Sequence, residues 1–348
     1  MMKRIILLFS VYVTLGMCSC STVIVNEVKI GEKENPIRLE EFYDLAEITV
    51  LRDTMIIIGG VSSIKKDNRY YYVLDDKEET LSTFDFAGNQ KNFLKKIGRS
   101  QDEYLCISDF DICGDSIYVL CSPNKIIVTD SLLTPHSIIK LGDDFSHICV
   151  CEGLTYLYDG VKRSLCLLEE DGTIVELLNE GTMPACPRLG SQVFFKTTNG
   201  VLYIPEGGDV VYRIVGNTVT PLFVFDYPDK QRVMERYMRE EIIIGDERFK
   251  YSSPVIRSII EHGEQLVVTY SYAMIVRSFI FDYKSKRVIR DGIWKGLSPF
   301  PRFYSEGSVL STGFATPDKC LVDTSSFSIS YTSGKIGEDG NLVIIEYK

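Results

Sequence analysis

The chain has 348 residues, 45 % of them hydrophobic, and a formal net charge of −10 at pH 7. That length and apolar content allow one large domain with a full core, and the acidic balance repels phosphate backbones, which excludes nucleic acid as a natural partner. The 20 Tyr and 18 Phe favour strands, while the single Trp is too few for a stacked-Trp glycan platform.

Lys3 and Arg4 open the chain, and an almost wholly apolar run follows from Ile5 to Met17. The run is too short to cross a hydrocarbon core of about 30 Å at about 1.5 Å per residue. A secretory signal peptide is therefore expected over residues 1–19. It ends in Leu15-Gly16-Met17-Cys18-Ser19-Cys20, which resembles a bacterial lipobox, where a small residue directly precedes the cysteine that becomes the new N-terminus. Ser19 before Cys20 satisfies that rule and Met17 before Cys18 does not, so Cys20 is the expected lipidation site. Residues 20–46 are then a lipidated N-terminus and linker, and the membrane is a partner through acyl chains whose buried CH₂ groups contribute about 0.8 kcal/mol each. No acidic cluster follows Cys20. By resemblance to lipoproteins that use such a cluster for surface display, the periplasmic side of the outer membrane is favoured within the cell envelope.

From residue 47 onward short alternating runs recur between tight turns. Ser62 to Lys66, Tyr70 to Leu74 and Thr80 to Phe86 make a first unit. Ile107 to Cys113, Ser116 to Cys121 and Lys125 to Thr129 make a second, around Gly114-Asp115. Ser146 to Cys151, Leu154 to Tyr158 and Leu165 to Glu169 make a third. The fourth runs from Gln192 to Phe225 around Asn199-Gly200 and Gly216-Asn217, and the fifth from Val255 to Phe281. The sixth joins Arg302 to Glu306, Ser308 to Thr312 and a terminal strand, Leu342 to Tyr347. Asn-Gly and Gly-Asp between alternating apolar runs are strong hairpin signals. About 49 residues per unit fits a four-stranded blade, and radial closure hides the edges of so many hairpins. The fold class is all-β, a six-bladed β-propeller over residues 47–348. The last unit lacks a strand, which Glu47 to Leu51 or Val23 to Val28 would supply, joining both chain ends in one blade. Between blades four and five a short amphipathic helix is expected after Pro228-Asp229. Val233, Met234, Tyr237 and Met238 fall on one face, with Arg232, Glu235, Arg236 and Arg239 on the other.

Eight cysteines follow Cys20: Cys106, Cys113, Cys121, Cys149, Cys151, Cys166, Cys186 and Cys320. No CxxC pair occurs, so zinc and thioredoxin-like redox sites are not indicated. Most are read as small buried hydrophobes. If the Gly114-Asp115 turn sets the register, Cys106 and Cys121 approach diagonally and form the best disulfide candidate.

Three stretches carry a family resemblance. Phe84-Asp85-Phe86-Ala87-Gly88-Asn89 is similar to an F-D-x-x-G-K pattern. Ile97-Gly98-Arg99-Ser100-Gln101-Asp102-Glu103-Tyr104 is close to G-x-G-P-G-E-[YF], and Asn341 to Lys348 is similar to the family's last strand. With the lipobox, the chain resembles the six-bladed β-propeller lipoproteins of uncharacterised function from Gram-negative bacteria. Gly98, Glu103 and Tyr104 match the second motif, whereas Ser100, Gln101 and Asp102 replace its Gly-Pro-Gly. If that loop binds a ligand in the family, Arg99, Glu103 and Tyr104 are the candidate residues here. The alternative is an inter-blade turn in which Glu103 satisfies loop amides.

Enzyme signatures are absent: there is no H-E-x-x-H, G-x-S-x-G, Walker loop or G-x-G-x-x-G. Asp109-Phe110-Asp111-Ile112-Cys113-Gly114 starts like a calcium loop, but Cys113 and Leu120 occupy ligand positions, so no metal site is assigned. His136, His147 and His262 are scattered, and no catalytic residue emerges. The first functional expectation is a binding or scaffolding propeller tethered to the outer membrane, meeting a protein, peptide or glycan, with no cofactor. The alternative is a calcium-type, metal-dependent hydrolase or lyase whose channel would draw on carboxylates such as Asp109, Asp111 and Asp226.

Overall fold

The computed structural model describes residues 26–29, 36–37, 41–42, 45–52, 58, 60–180, 192–206, 208–226, 255–272, 275–294, 303–305, 308–316, 319–322, 327–329 and 341–347. These residues are all-β, and their strands fall into six sheets. The expected helix after Pro228 lies outside the described residues, as does Cys20.

Three short strands come first: β1 (Asn26–Lys29), β2 (Pro36–Ile37) and β3 (Leu45–Val50). Blade one holds β4 (Val61–Lys66), β5 (Tyr70–Asp75), β6 (Thr80–Asp85) and β7 (Gln90–Leu94). Blade two holds β8 (Cys106–Cys113), β9 (Ser116–Ser122), β10 (Lys125–Thr129) and β11 (Pro135–Lys140). Blade three holds β12 (His147–Cys151), β13 (Leu154–Asp159), β14 (Ser164–Leu168) and β15 (Ile174–Asn179). Blade four holds β16 (Phe194–Thr197), β17 (Gly200–Tyr203), β18 (Val210–Val215) and β19 (Thr218–Asp226). Blade five holds β20 (Val255–His262), β21 (Gln265–Tyr272), β22 (Ile275–Asp282) and β23 (Arg287–Trp294). Blade six holds β24 (Phe303–Ser305), β25 (Ser308–Thr316), β26 (Lys319–Val322), β27 (Phe327–Ile329) and β28 (Asn341–Tyr347).

The ring closes. The innermost strands β4, β8, β12, β16, β20 and β24 touch one another in turn, and β24 returns to β4. The N-terminal strand β3 pairs antiparallel with the C-terminal strand β28, so blade six contains both ends of the propeller. The same strap adds β1 parallel to β19 on the outer edge of blade four, and β2 parallel to β23 on blade five. Strands at 26–29 and 36–37 therefore belong to the sheets.

The core lies between blades. Tyr72, Leu74 and Leu81 of blade one pack on Phe110, Ile117 and Val119 of blade two. Phe195, Phe223 and Phe225 of blade four meet Tyr270, Phe279 and Phe281 of blade five. Leu51, Tyr71, Phe84, Leu310 and Ile344 fill the seam between blades six and one. Middle strands are covered on both faces, which is why every residue of β10 and β14 is buried. Outer strands such as β11 and β15 contain no buried residue.

Two sides result. Tight turns follow the inner strands β8, β12 and β16, at Gly114-Asp115, Glu152-Gly153 and Thr198-Asn199, and define a turn side. The outer strands β7, β11, β15 and β19 end on the opposite, loop side, where the described connection at 95–105 leads from blade one to blade two.

The expected Cys106–Cys121 disulfide is corrected. Both thiols are free. A bulge at Ser108 puts Cys106 opposite Ser122 and Ile107 opposite Cys121. Residues directly opposite share a face and their neighbours take the other, so the two thiols point apart.

Candidate functional site

The alternation of β8 sends Phe110 and Ile112 into inter-blade packing and Asp109 and Asp111 the other way. The two carboxylates meet groups from blades one, three and four, a convergence that only the propeller axis permits. Lys65 of β4 reaches Asp111 Oδ1 at 3.1 Å and Asp109 Oδ1 at 3.9 Å, and also donates to the Phe110 carbonyl. Lys196 of β16 reaches Asp111 Oδ2 at 2.8 Å and donates to the Ile112 carbonyl at 2.9 Å. The backbone of β12 donates from Val150 N to Asp111 Oδ2 at 2.7 Å and from Ile148 N to Asp109 Oδ2 at 3.2 Å. His147 bridges Asp109 Oδ2, 3.4 Å from Nδ1, and Glu206 Oε1, 3.3 Å from Nε2. The Glu206 amide donates to Tyr158 OH at 3.2 Å, which fixes the outer end of the chain.

Three cations and three carboxylates thus balance along the axis, and their protonation follows from burial set against pairing. Burial alone would raise Asp111, but Lys196 and Lys65 hold it below the usual carboxylate range. Asp109 is likewise lowered against its burial, by Lys65 and His147. Burial would lower Lys65, and Asp111 and Asp109 raise it instead. Burial would also lower His147, yet the bonds to Asp109 and Glu206 raise it to about 9, so the imidazole is charged at neutral pH. Burial, with Asp111 nearby, pushes the Cys149 thiol well up, which keeps it a protonated, unreactive core group.

Sequence reading named Asp109 and Asp111 among eligible channel carboxylates, and the structure brings them together. Asp226 instead ends β19 on the outer side of blade four, in register with Lys29. Lys65, Lys196 and Glu206 carry no motif that marks them, and His147 stands in the sequence only as one of three scattered histidines. Lys65 and Lys196 sit near the ends of inner strands, the one signal that could have marked them.

The motif loop lies elsewhere, between β7 and β8 on the loop side. Tyr104 is fully buried in the core between blades one and two, and the Leu94 and Glu79 carbonyls, both 3.0 Å away, share its single hydroxyl proton. Glu103 Oε2 accepts the Ser100 amide at 2.8 Å, a bond that lowers its pKa. It also lies so close to Gly98 that a Cβ there would collide with it. Lys125 gathers the carbonyls of Gln101 and Glu103 beneath the loop. Arg99 is exposed. Ser-Gln-Asp in place of Gly-Pro-Gly is thus held by a carboxylate and a lysine.

A family model described as a 6-bladed beta-propeller, DUF5128, matches residues 24–290. The chain belongs to that family. The match begins two residues before β1, so the family's shared region includes the strap. The fold is similar to that of a Bacteroides fragilis protein named as a candidate exported protein. The TM-score is 0.63 at 13 % identity, with 92 % of this chain and 98 % of that one covered. A member of the duf4221 family from Bacteroides vulgatus gives a TM-score of 0.51 at 7 % identity, covering 88 % of this chain and 97 % of that one. At such identities the likeness concerns the fold alone. No curated protein matches the chain.

Proposed function

We propose that this propeller is an exported lipoprotein, processed before Cys20 and anchored to the outer membrane on its periplasmic side, which binds a protein, peptide or glycan on its loop side. One observation carries the preference for binding over metal chemistry. The axial carboxylates are engaged by internal donors. Asp111 holds Lys65, Lys196 and the Val150 amide, and Asp109 holds His147, Lys65 and the Ile148 amide. A calcium ion would have to displace two lysines and a charged imidazole. Connections carried on a rigid scaffold are where binding residues collect, and the described connection at 95–105 lies on the loop side.

The test is the melting temperature of the chain starting at Ser21, in calcium and then in chelator. A ligand that binds only the folded state at a hundredfold excess over Kd adds about 2.7 kcal/mol. An unchanged transition is expected. A rise of several degrees that chelator reverses would overturn the preference and support a calcium-dependent hydrolase or lyase. The anchor has its own test, since Cys20→Ala should abolish labelling of the protein by radioactive palmitate in cells.

A further inference from the structure

We infer that the anchored protein stands with the turn side of blades four and five toward the lipid headgroups, which leaves the loop side facing away from the membrane. This rests on the reading of Cys20 as the anchor. The geometry comes from β1. It pairs parallel to β19, with Asn26 opposite Phe223 and Lys29 opposite Asp226. The strand β19 runs from the Gly216-Asn217 turn toward the loop side, so β1 enters from the turn side as well.

Six residue steps separate Cys20 from Asn26, a reach of at most about 20 Å. From Thr218, where β19 begins, to Phe223 is a similar rise of about 17 Å. An extended tether therefore ends near the turn-side rim of blade four. Reaching the loop side would require a reversal within Ser21-Thr22-Val23-Ile24-Val25. That stretch has no Gly, Pro, Asn or Asp to make a turn, and its β-branched residues favour extension.

Charge selects how the rim tilts. The blade-four turns, Thr198-Asn199 and Gly216-Asn217, are uncharged. On one side of them blade five exposes Lys284, Lys286 and Arg287 at the turn between β22 and β23, against one exposed carboxylate, Glu264, at the turn between β20 and β21. On the other, blade three exposes Glu169, Glu170 and Asp171. Anionic headgroups attract the first set and repel the second, so blade five leans in and blade three away.

The test couples a lipid chemically to position 20 of the chain beginning there, and inserts the protein into phosphatidylethanolamine–phosphatidylglycerol vesicles with nitroxide headgroups. A fluorophore is attached through a clickable residue either at Asn217, exposed on the turn side, or at Val161, 88 % exposed on the loop side. Quenching several-fold stronger at Asn217 is expected. Equal quenching, or stronger quenching at Val161, would overturn the orientation. Lys284→Glu with Lys286→Glu should shrink the contrast at low salt, and no change would overturn the role given to those charges. Because the lipid is attached chemically, the result reads orientation alone, while palmitate labelling in cells reads the anchor alone.

Discussion

Removing the Asp111 carboxylate would leave Lys65 and Lys196 near the axis without their shared counter-charge. Breaking a buried pair by deleting one partner typically costs about 3–5 kcal/mol. Asp111 is 4 % exposed, but the Lys196 side chain is 37 % exposed and water screens part of the loss. Asp111→Ala is therefore expected to destabilise the fold by about 3 kcal/mol in urea titrations, and Asp111→Asn by less, since its amide oxygen still accepts from Val150. A loss under about 1 kcal/mol would mean the lysines relax into solvent. His147 supplies a pH signature. Its folded pKa, about 9, lies above the unfolded value of 6.5. A group raised in the folded state contributes fully below its unfolded pKa, and the contribution disappears as pH rises through the folded value. The shift corresponds to roughly 3 kcal/mol at most. The stability advantage of the native chain over His147→Gln should be full at pH 6 and largely gone by pH 10. A difference flat across that range would show that the imidazole is neutral. None of these pairings was legible beforehand. Lys65 and Asp111 lie 46 positions apart, and only the closing of the ring makes them neighbours.

Among the strands, legibility followed burial. Inner and middle strands alternate or run apolar between turn residues, and sequence reading placed them. The fourth strands β7, β11 and β15 lie at outer edges with little buried surface, so no apolar period marks them. The cysteine pairing failed for a related reason, since a one-residue bulge leaves no compositional trace yet moves every side chain beyond it to the other face. Turn glycines were more informative. Gly88, with φ +84, sits against the Val50 carbonyl, and its own carbonyl accepts the Arg52 amide at 2.8 Å. Gly88→Ala combines backbone strain with a collision against the strap. Gly114, φ +59, has open space around its Cβ position, so Gly114→Ala adds strain of about 1 kcal/mol and nothing else. The first variant should lose at least about 2 kcal/mol more than the second in paired denaturation curves. Equal losses would show that the strap moves aside at no cost.

At the scale of the molecule, stability depends on one seam. Five of the six blades follow one another along the chain, whereas blade six is assembled from both ends, with β3 laid on β28. Glu346 of β28, 3 % exposed, ties that blade to blade one by accepting Tyr71 OH at 2.8 Å and pairing with Lys66 at 2.6 Å. Thr49, Val50 and Leu51 are buried beside it. The strap before β3 has a different standing, because β1 and β2 add edge strands to sheets already four strands wide. Two truncations separate these contributions. Removal of residues 21–44 deletes β1 and β2 and exposes the outer edges of blades four and five, a modest change. Removal of residues 21–54 also deletes β3, uncovers the edge of β28 and takes Leu51 out of the core between blades six and one. A ring without its closing strand can open at that seam, and an opened propeller exposes two blade faces at once. The shorter truncation is expected to lower the melting temperature by a few degrees and keep one cooperative transition. The longer one should lower it sharply or split it. Identical melting curves for the two would mean that β3 does not hold the ring and that packing between neighbouring blades suffices.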